Sequence, residues 1–79
     1  MGRYYFNLFN DHDTIDEEGA ELSDDDAAYE FARMEARNQA AVSIKDHGHL
    51  ILSHRIVVLN SERSDIATVT FGDAVEVRN

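Results

Sequence analysis

The stretch from Asp24 to Asp46 contains no Gly or Pro and is rich in Ala, which constrains the chain to one long helix. Ala is the strongest helix former, and nothing in this stretch interrupts the backbone hydrogen bonds of a helix. Ser23 followed by Asp26 has the spacing of a capping box, with Asp in place of Glu, and this predicts the helix start. Gly48 predicts its end.

One side of this helix carries an apolar stripe at 3.6-residue spacing. A stripe of this kind faces the core in most surface helices, so we expect it to be the buried side. The residues of the predicted stripe are Ala27, Phe31, Met34, Ala41 and Val42.

Segments typical of β-strands lie before and after the helix. Arg3–Phe9 is rich in aromatic residues, and Thr14–Leu22 is a weaker strand interrupted at Gly19, where we expect a bulge or turn. After the helix, Leu50–Leu59 ends in a β-branched run, and Ile66–Phe71 alternates between two faces. A polar hairpin loop joins these last two strands, and residues 74–77 continue either as a short edge segment or as a single turn.

The predicted order is β-β-α-β-β within a single domain spanning residues 1–79. It indicates an α+β fold, in which one helix packs on one face of a four-stranded antiparallel sheet. The other face would stay open, yet the first strand carries Tyr4, Phe6 and Leu8 on one side and Tyr5 and Phe9 on the other, and the third strand is also apolar on both sides. Because a second apolar face usually finds cover, we expect a homodimer through the open sheet face or a sheet edge.

Several short segments, taken in order, resemble a known family. They are the Ala-rich helix together with Arg3–Phe6, Asp16–Leu22, Arg55–Val58 and Phe71–Val77. The family consists of small proteins of soil alphaproteobacteria, of the rhizobial type, and is a domain family of unknown function. The resemblance covers nearly the whole chain. It implies a small stand-alone domain and supplies no activity, ligand or catalytic residue.

The negative charge of the chain is concentrated before the helix. Outside residues 11–26, seven acids are balanced by seven Lys and Arg, so the net charge of −9 lies within this segment. A localised charge predicts a surface for a basic protein partner. We expect Asp16, Glu17, Glu18 and Glu21 to contact that partner, with Tyr5 and Tyr29 as aromatic contacts. The nine acids are Asp11, Asp13, Asp16, Glu17, Glu18, Glu21, Asp24, Asp25 and Asp26.

Three histidines follow one another closely after the helix. His47, His49 and His54 offer the imidazole nitrogens that zinc, nickel and copper prefer, which predicts a metal site as one alternative. Their spacing fits no known structural zinc pattern. The other interpretation is a solvated loop that happens to contain histidines.

Composition disfavours several functional classes. The chain has no Cys, no nucleophile motif and no glycine-rich phosphate loop, so we expect neither an enzyme nor a bound cofactor. Its Lys and Arg are scattered, which argues against nucleic acid as a partner, and no segment has the length of a membrane span. We therefore predict a cytoplasmic, non-enzymatic protein-binding module. The alternatives are a metal-binding protein and an acidic mimic that occupies a nucleic-acid-binding protein.

Overall fold

The structure, a computed structural model, describes residues 2–79 and has the expected ββαββ arrangement. The fold is α+β: an antiparallel sheet of four strands carries one long helix, as predicted. The strands are β1 (Gly2–Phe9), β2 (Ala20–Leu22), β3 (Arg55–Leu59) and β4 (Asp65–Thr70). The long helix, α1, spans Asp25–His47, and a single turn, α2, spans Phe71–Ala74.

The strands lie in the order β2-β1-β3-β4, so β1 pairs with β3 across the middle of the sheet. In this antiparallel pair Phe6 lies opposite Val58, and Leu8 lies opposite Ile56. Residues opposite each other point to the same face of a sheet. That face packs against α1, because Ile56 and Val58 are almost fully buried in one core with the helix.

The buried side of α1 is a column of alanines, and the stripe predicted from the sequence is wrong. Phe31, Met34 and Val42 of that stripe are 42%, 53% and 48% exposed, Ala41 is exposed, and Ala27 is half-buried. Small side chains let the helix lie close to the sheet, where larger ones would overpack the core. We call the buried set the Ala column: Ala28, Ala32, Ala36 and Ala40.

The two ends of α1 are capped, and one cap differs from the prediction. Asp24 is the N-cap in place of Ser23, and its carboxylate accepts a hydrogen bond of 2.8 Å from the Ala27 N–H. A carboxylate at this position also interacts favourably with the helix dipole. At the other end Gly48 has φ 73° and donates its N–H to the Ile44 carbonyl, which confirms the predicted stop.

Strand boundaries after the helix also differ from the prediction. Leu50–His54 is irregular and does not belong to β3. The last strand ends at Thr70 instead of Phe71, because the Thr70 hydroxyl and the Asp73 carboxylate each accept the backbone N–H of the other residue. This reciprocal cap begins α2, so the single turn considered for residues 74–77 lies earlier in the chain.

Tyr4 ties β1 to the first turn of α1. Its hydroxyl donates a hydrogen bond of 2.6 Å to the Asp25 carboxylate, and only 7% of the residue is exposed. The bond to Asp25, with burial and the nearby negative charge, raises the pKa of Tyr4 to about 12. The proton on Tyr4 therefore links strand and helix.

High pH should remove this link. Because the pKa of Tyr4 rises from 10 unfolded to about 12 folded, the stability that it supplies is complete below pH 10 and is lost as pH rises through 12. Melting temperatures measured against pH should therefore converge for wild type and Tyr4→Phe in that window. Asp25→Asn should lower the pKa of Tyr4 in an absorbance titration, whereas Tyr29→Phe should leave it unchanged. If the pKa of Tyr4 is the same in wild type and in Asp25→Asn, the hydrogen bond between the two residues does not cause the shift.

Candidate functional site

The acidic segment, residues 11–26, runs beside β1. Part of its pairing with β1 is made by the side chain of Asp16 instead of the backbone. Leu8 and Thr14 exchange two backbone hydrogen bonds of 2.9 and 2.8 Å, and strand pairing with β1 resumes only at Ala20–Leu22. Between these points the Asp16 carboxylate accepts the Phe6 N–H at 3.1 Å, in place of a strand carbonyl. The second strand is therefore shorter than the one predicted from Thr14 onward.

Asp16 also organises the turn that follows it. Its Oδ1 accepts hydrogen bonds from the N–H groups of Glu18 and Gly19, at 3.2 and 3.0 Å. The Asp16 N–H donates in turn to Oδ1 of Asn7, a residue that is only 8% exposed. Both carboxylate oxygens of Asp16, a predicted partner contact, are thus engaged within the protein.

The sheet face away from α1 is partly covered by arginines of the same chain. The Arg63 guanidinium lies 3.9 Å from the centre of the Tyr5 ring, and Arg55 lies 4.9 Å from that of Phe9. Cation–π contacts of this kind shield an aromatic face from water. Among the described residues, no large apolar side chain of the four strands is strongly exposed. The open face therefore leaves less apolar surface for a second copy of the chain to cover, which weakens the argument for a homodimer through this face.

Two further predicted contact residues lie on different surfaces. Glu21, on β2, forms an exposed ion pair with Arg3 across the strands at 3.3 Å. Tyr29 lies on α1, 38% exposed, on the opposite side of the sheet from Tyr5. The structure does not bring Tyr29 together with Tyr5.

A pocket with a volume of about 440 Å³ lies on the helix side of β1, between that strand, α1 and the segment 14–18. We call it the acidic groove. Its lining includes four apolar side chains and four carboxylates, and within residues 2–79 no Lys or Arg contributes to it. The apolar residues are Phe6, Leu8, Ile15 and Ile56, and the acids are Asp16, Glu17, Glu18 and Glu35.

The carboxylates of Glu17 and Glu18 remain available to a ligand. Both residues are exposed, and within the described residues neither side chain forms a hydrogen bond or an ion pair. Glu35 accepts a hydrogen bond of 3.2 Å from Gln39, one turn further along α1. The Phe31 ring packs on that of Phe6 with 4.6 Å between centroids, which supports the apolar lining. The groove therefore combines apolar surface with unbalanced negative charge.

The groove lies within the part of the chain that defines a family. Residues 3–72 match the family model described as a domain of unknown function, DUF6894. The chain belongs to this family. The resemblance seen in the sequence is thus confirmed as far as an uncharacterised domain family. No curated protein and no solved structure matches this chain. Across the described residues, neither helix has the apolar length that crossing a bilayer requires.

The three histidines do not converge on one point. The rings of His47 and His49 stack with 5.6 Å between centroids, whereas His54 lies against Asp11 at 3.6 Å and edge-on to Phe71. Within the part of the chain that the structure describes, no group of three or more acidic or histidine side chains is arranged to hold a metal ion. Metal binding by this set stays a prediction without geometric support.

Seven groove residues were not predicted as contacts from the sequence: Phe6, Leu8, Thr14, Ile15, Glu35, Gln39 and Ile56. Glu35 and Gln39 are four residues apart, so they share one side of a helix, and this was the available signal. Their position opposite β1 depends on which side of α1 is buried. Once the Ala column is known to face the sheet, the groove position of both residues follows.

Proposed function

We propose that this protein is a non-enzymatic, cytoplasmic binding module whose acidic groove receives a basic and partly apolar segment of another protein. The observation that carries the proposal is the lining of the groove, which joins apolar side chains to carboxylates without a basic residue among residues 2–79. Lys and Arg have an apolar stem and a cationic end, which is the matching chemistry. The stem would contact Phe6 and Leu8, and the cation would lie near Glu17 and Glu18.

The size of the groove suits a peptide segment. Its volume of about 440 Å³ falls within the roughly 300–1,000 Å³ of typical binding pockets. This space accommodates a few side chains, so a partner would dock through a short stretch of chain. The net charge of −9 would attract such a segment from a distance and make binding sensitive to salt.

Removing two groove charges should weaken binding measurably. The probe is a fluorescently labelled synthetic peptide that alternates Leu and Arg, and its anisotropy is followed during titration with protein. We expect Glu17→Gln combined with Glu18→Gln to raise the Kd roughly 2- to 30-fold, since each exposed charge pair contributes about 0.2–1 kcal/mol. The salt dependence of the Kd should become shallower in the same variant.

A matched control separates the groove from net charge. Asp46→Asn combined with Glu62→Gln removes the same charge at exposed positions that do not line the groove, so binding should stay close to wild type. Ile15→Ser should weaken binding through lost apolar contact, and this loss should persist at high salt. The groove is excluded as the site if both double variants lose affinity equally, or if the wild type does not bind the peptide.

Mimicry of nucleic acid gains less support from the structure. Five of the nine acids are engaged by groups of the protein itself, which leaves fewer carboxylates to imitate a row of phosphates. They are Asp11, Asp16, Glu21, Asp24 and Asp25.

A further inference from the structure

The outward side of α1 carries a regular series of residues that the acidic groove does not use. The spacing alternates between four and three, as in the a and d positions of a heptad repeat. Five of the six residues are exposed, including Phe31 at 42% and Met34 at 53%, while one side of the Phe31 ring also packs on Phe6 of β1. We call this series the outer seam: Ala27, Phe31, Met34, Asn38, Ala41 and Lys45.

We propose that α1 pairs along the outer seam with α1 of a second copy of the chain, in antiparallel orientation. A twofold axis beside Ala36 places each a position against a d position of the other helix. Phe31 then packs against Ala41 of the partner subunit, and Met34 packs against Asn38 of the partner subunit. A large side chain thereby meets a small one, which fills the seam without overpacking it.

Charge distinguishes the two orientations of the pair. The first half of α1, residues 25–35, carries four acids and one Arg, whereas the second half, residues 36–47, carries Arg37 and Lys45 against one acid. Antiparallel pairing sets the acidic half of each helix beside the basic half of the other and opposes the helix dipoles. Parallel pairing would place Lys45 beside its own copy and acids beside acids, which is unfavourable.

The size of the protein gives such pairing a role in stability. A chain of 79 residues without Cys has a small core and no disulfide to support it. Pairing through exposed Phe31 and Met34 would bury apolar surface that the single chain leaves in water. The outer seam and the lining of the acidic groove share no residue, but Phe31 packs on the groove residue Phe6. The two surfaces are therefore tested separately through Met34 and Ala41, which do not line the groove.

Sedimentation equilibrium across the micromolar range tests the pairing. We expect wild type to dimerise, and Met34→Glu and Ala41→Glu each to raise the dimer Kd roughly tenfold or more, because each sets a charge in a packed contact of the seam. Val77→Glu is the matched control: Val77 is 70% exposed outside α1, so its replacement should leave the dimer intact. Circular dichroism should show the same helix content in all four proteins.

The absence of Cys allows a direct test of orientation. A spin label on Asp46→Cys would lie ten residues from the twofold axis in each copy, so the two labels would be roughly 30 Å apart along an antiparallel pair. In a parallel pair they would be side by side. A wild-type monomer at every concentration, a dimer that survives both seam variants, or a short distance between labels would each overturn the proposal.

Discussion

Replacing Gly19 with Ala should lower the free energy of unfolding by about 2–5 kcal/mol, measured by urea titration with circular dichroism. Gly19 has φ 72°, a conformation that a residue with a Cβ adopts only under strain. An added Cβ would also lie 2.6 Å from the Tyr4 carbonyl oxygen and 3.0 Å from side-chain carbons of Arg3 and Tyr5. Because the Tyr4 carbonyl belongs to β1, relief requires a shift of the backbone.

Gly48→Ala is the control for this prediction. Gly48 has nearly the same φ, 73°, but an added Cβ there meets no atom within 4 Å. Its replacement should cost only about 1 kcal/mol, the conformational part alone. If Gly19→Ala and Gly48→Ala lower the free energy of unfolding equally, the close approach of Gly19 to β1 does not contribute to the cost of the substitution.

Replacing Asp16 with Ala should cost about 2–4 kcal/mol of stability, since three backbone N–H groups lose a charged acceptor. These N–H groups belong to Phe6, Glu18 and Gly19. The loss is smaller than three buried charged hydrogen bonds would give, because water reaches part of the turn. Amide hydrogen exchange should accelerate first at these three residues, and Asp16→Asn should lose less because it keeps one acceptor oxygen.

Glu17→Ala provides the comparison for Asp16→Ala. It removes the same charge one residue along the chain, where the side chain accepts no hydrogen bond within the described residues, so stability should change by less than about 0.5 kcal/mol. Similar losses in the two variants would contradict the structural role of Asp16. The same comparison shows why Asp16 is left intact in the peptide-binding experiment. Asp16→Ala would reduce peptide binding by destabilising the segment that lines the groove, and not only by removing a charge.

Features set by neighbouring residues could be predicted from the sequence. The aromatic pattern of β1, the break at Gly19 and the stop at Gly48 each depend on a few residues with strong conformational preferences. The order of elements followed from these signals, and the single sheet followed from the order. Cap identity was harder, because Ser23 and Asp24 are both good N-caps and the choice depends on where the chain leaves β2.

Features that depend on distance between elements could not be predicted. The apolar stripe and the Ala column are both periodic in the sequence, and the stripe contains the larger side chains Phe31 and Met34. Which one is buried depends on how closely α1 approaches the sheet, which no single element specifies. The role of Asp16 was hidden for a related reason, since its carboxylate fills a gap in strand pairing that exists only in the assembled sheet.

The Ala column separates two tasks that most amphipathic helices assign to the same large side chains. Here the fold depends on the smallest residues of α1, whereas bulky ones such as Met34 and Val42 lie outside the core. A substitution at Met34 can change what the helix contacts without disturbing how α1 packs on the sheet. A larger side chain at Ala36 would disturb that packing even if it added only a few atoms. The chemistry of the outer side of α1 can therefore be changed without altering the scaffold.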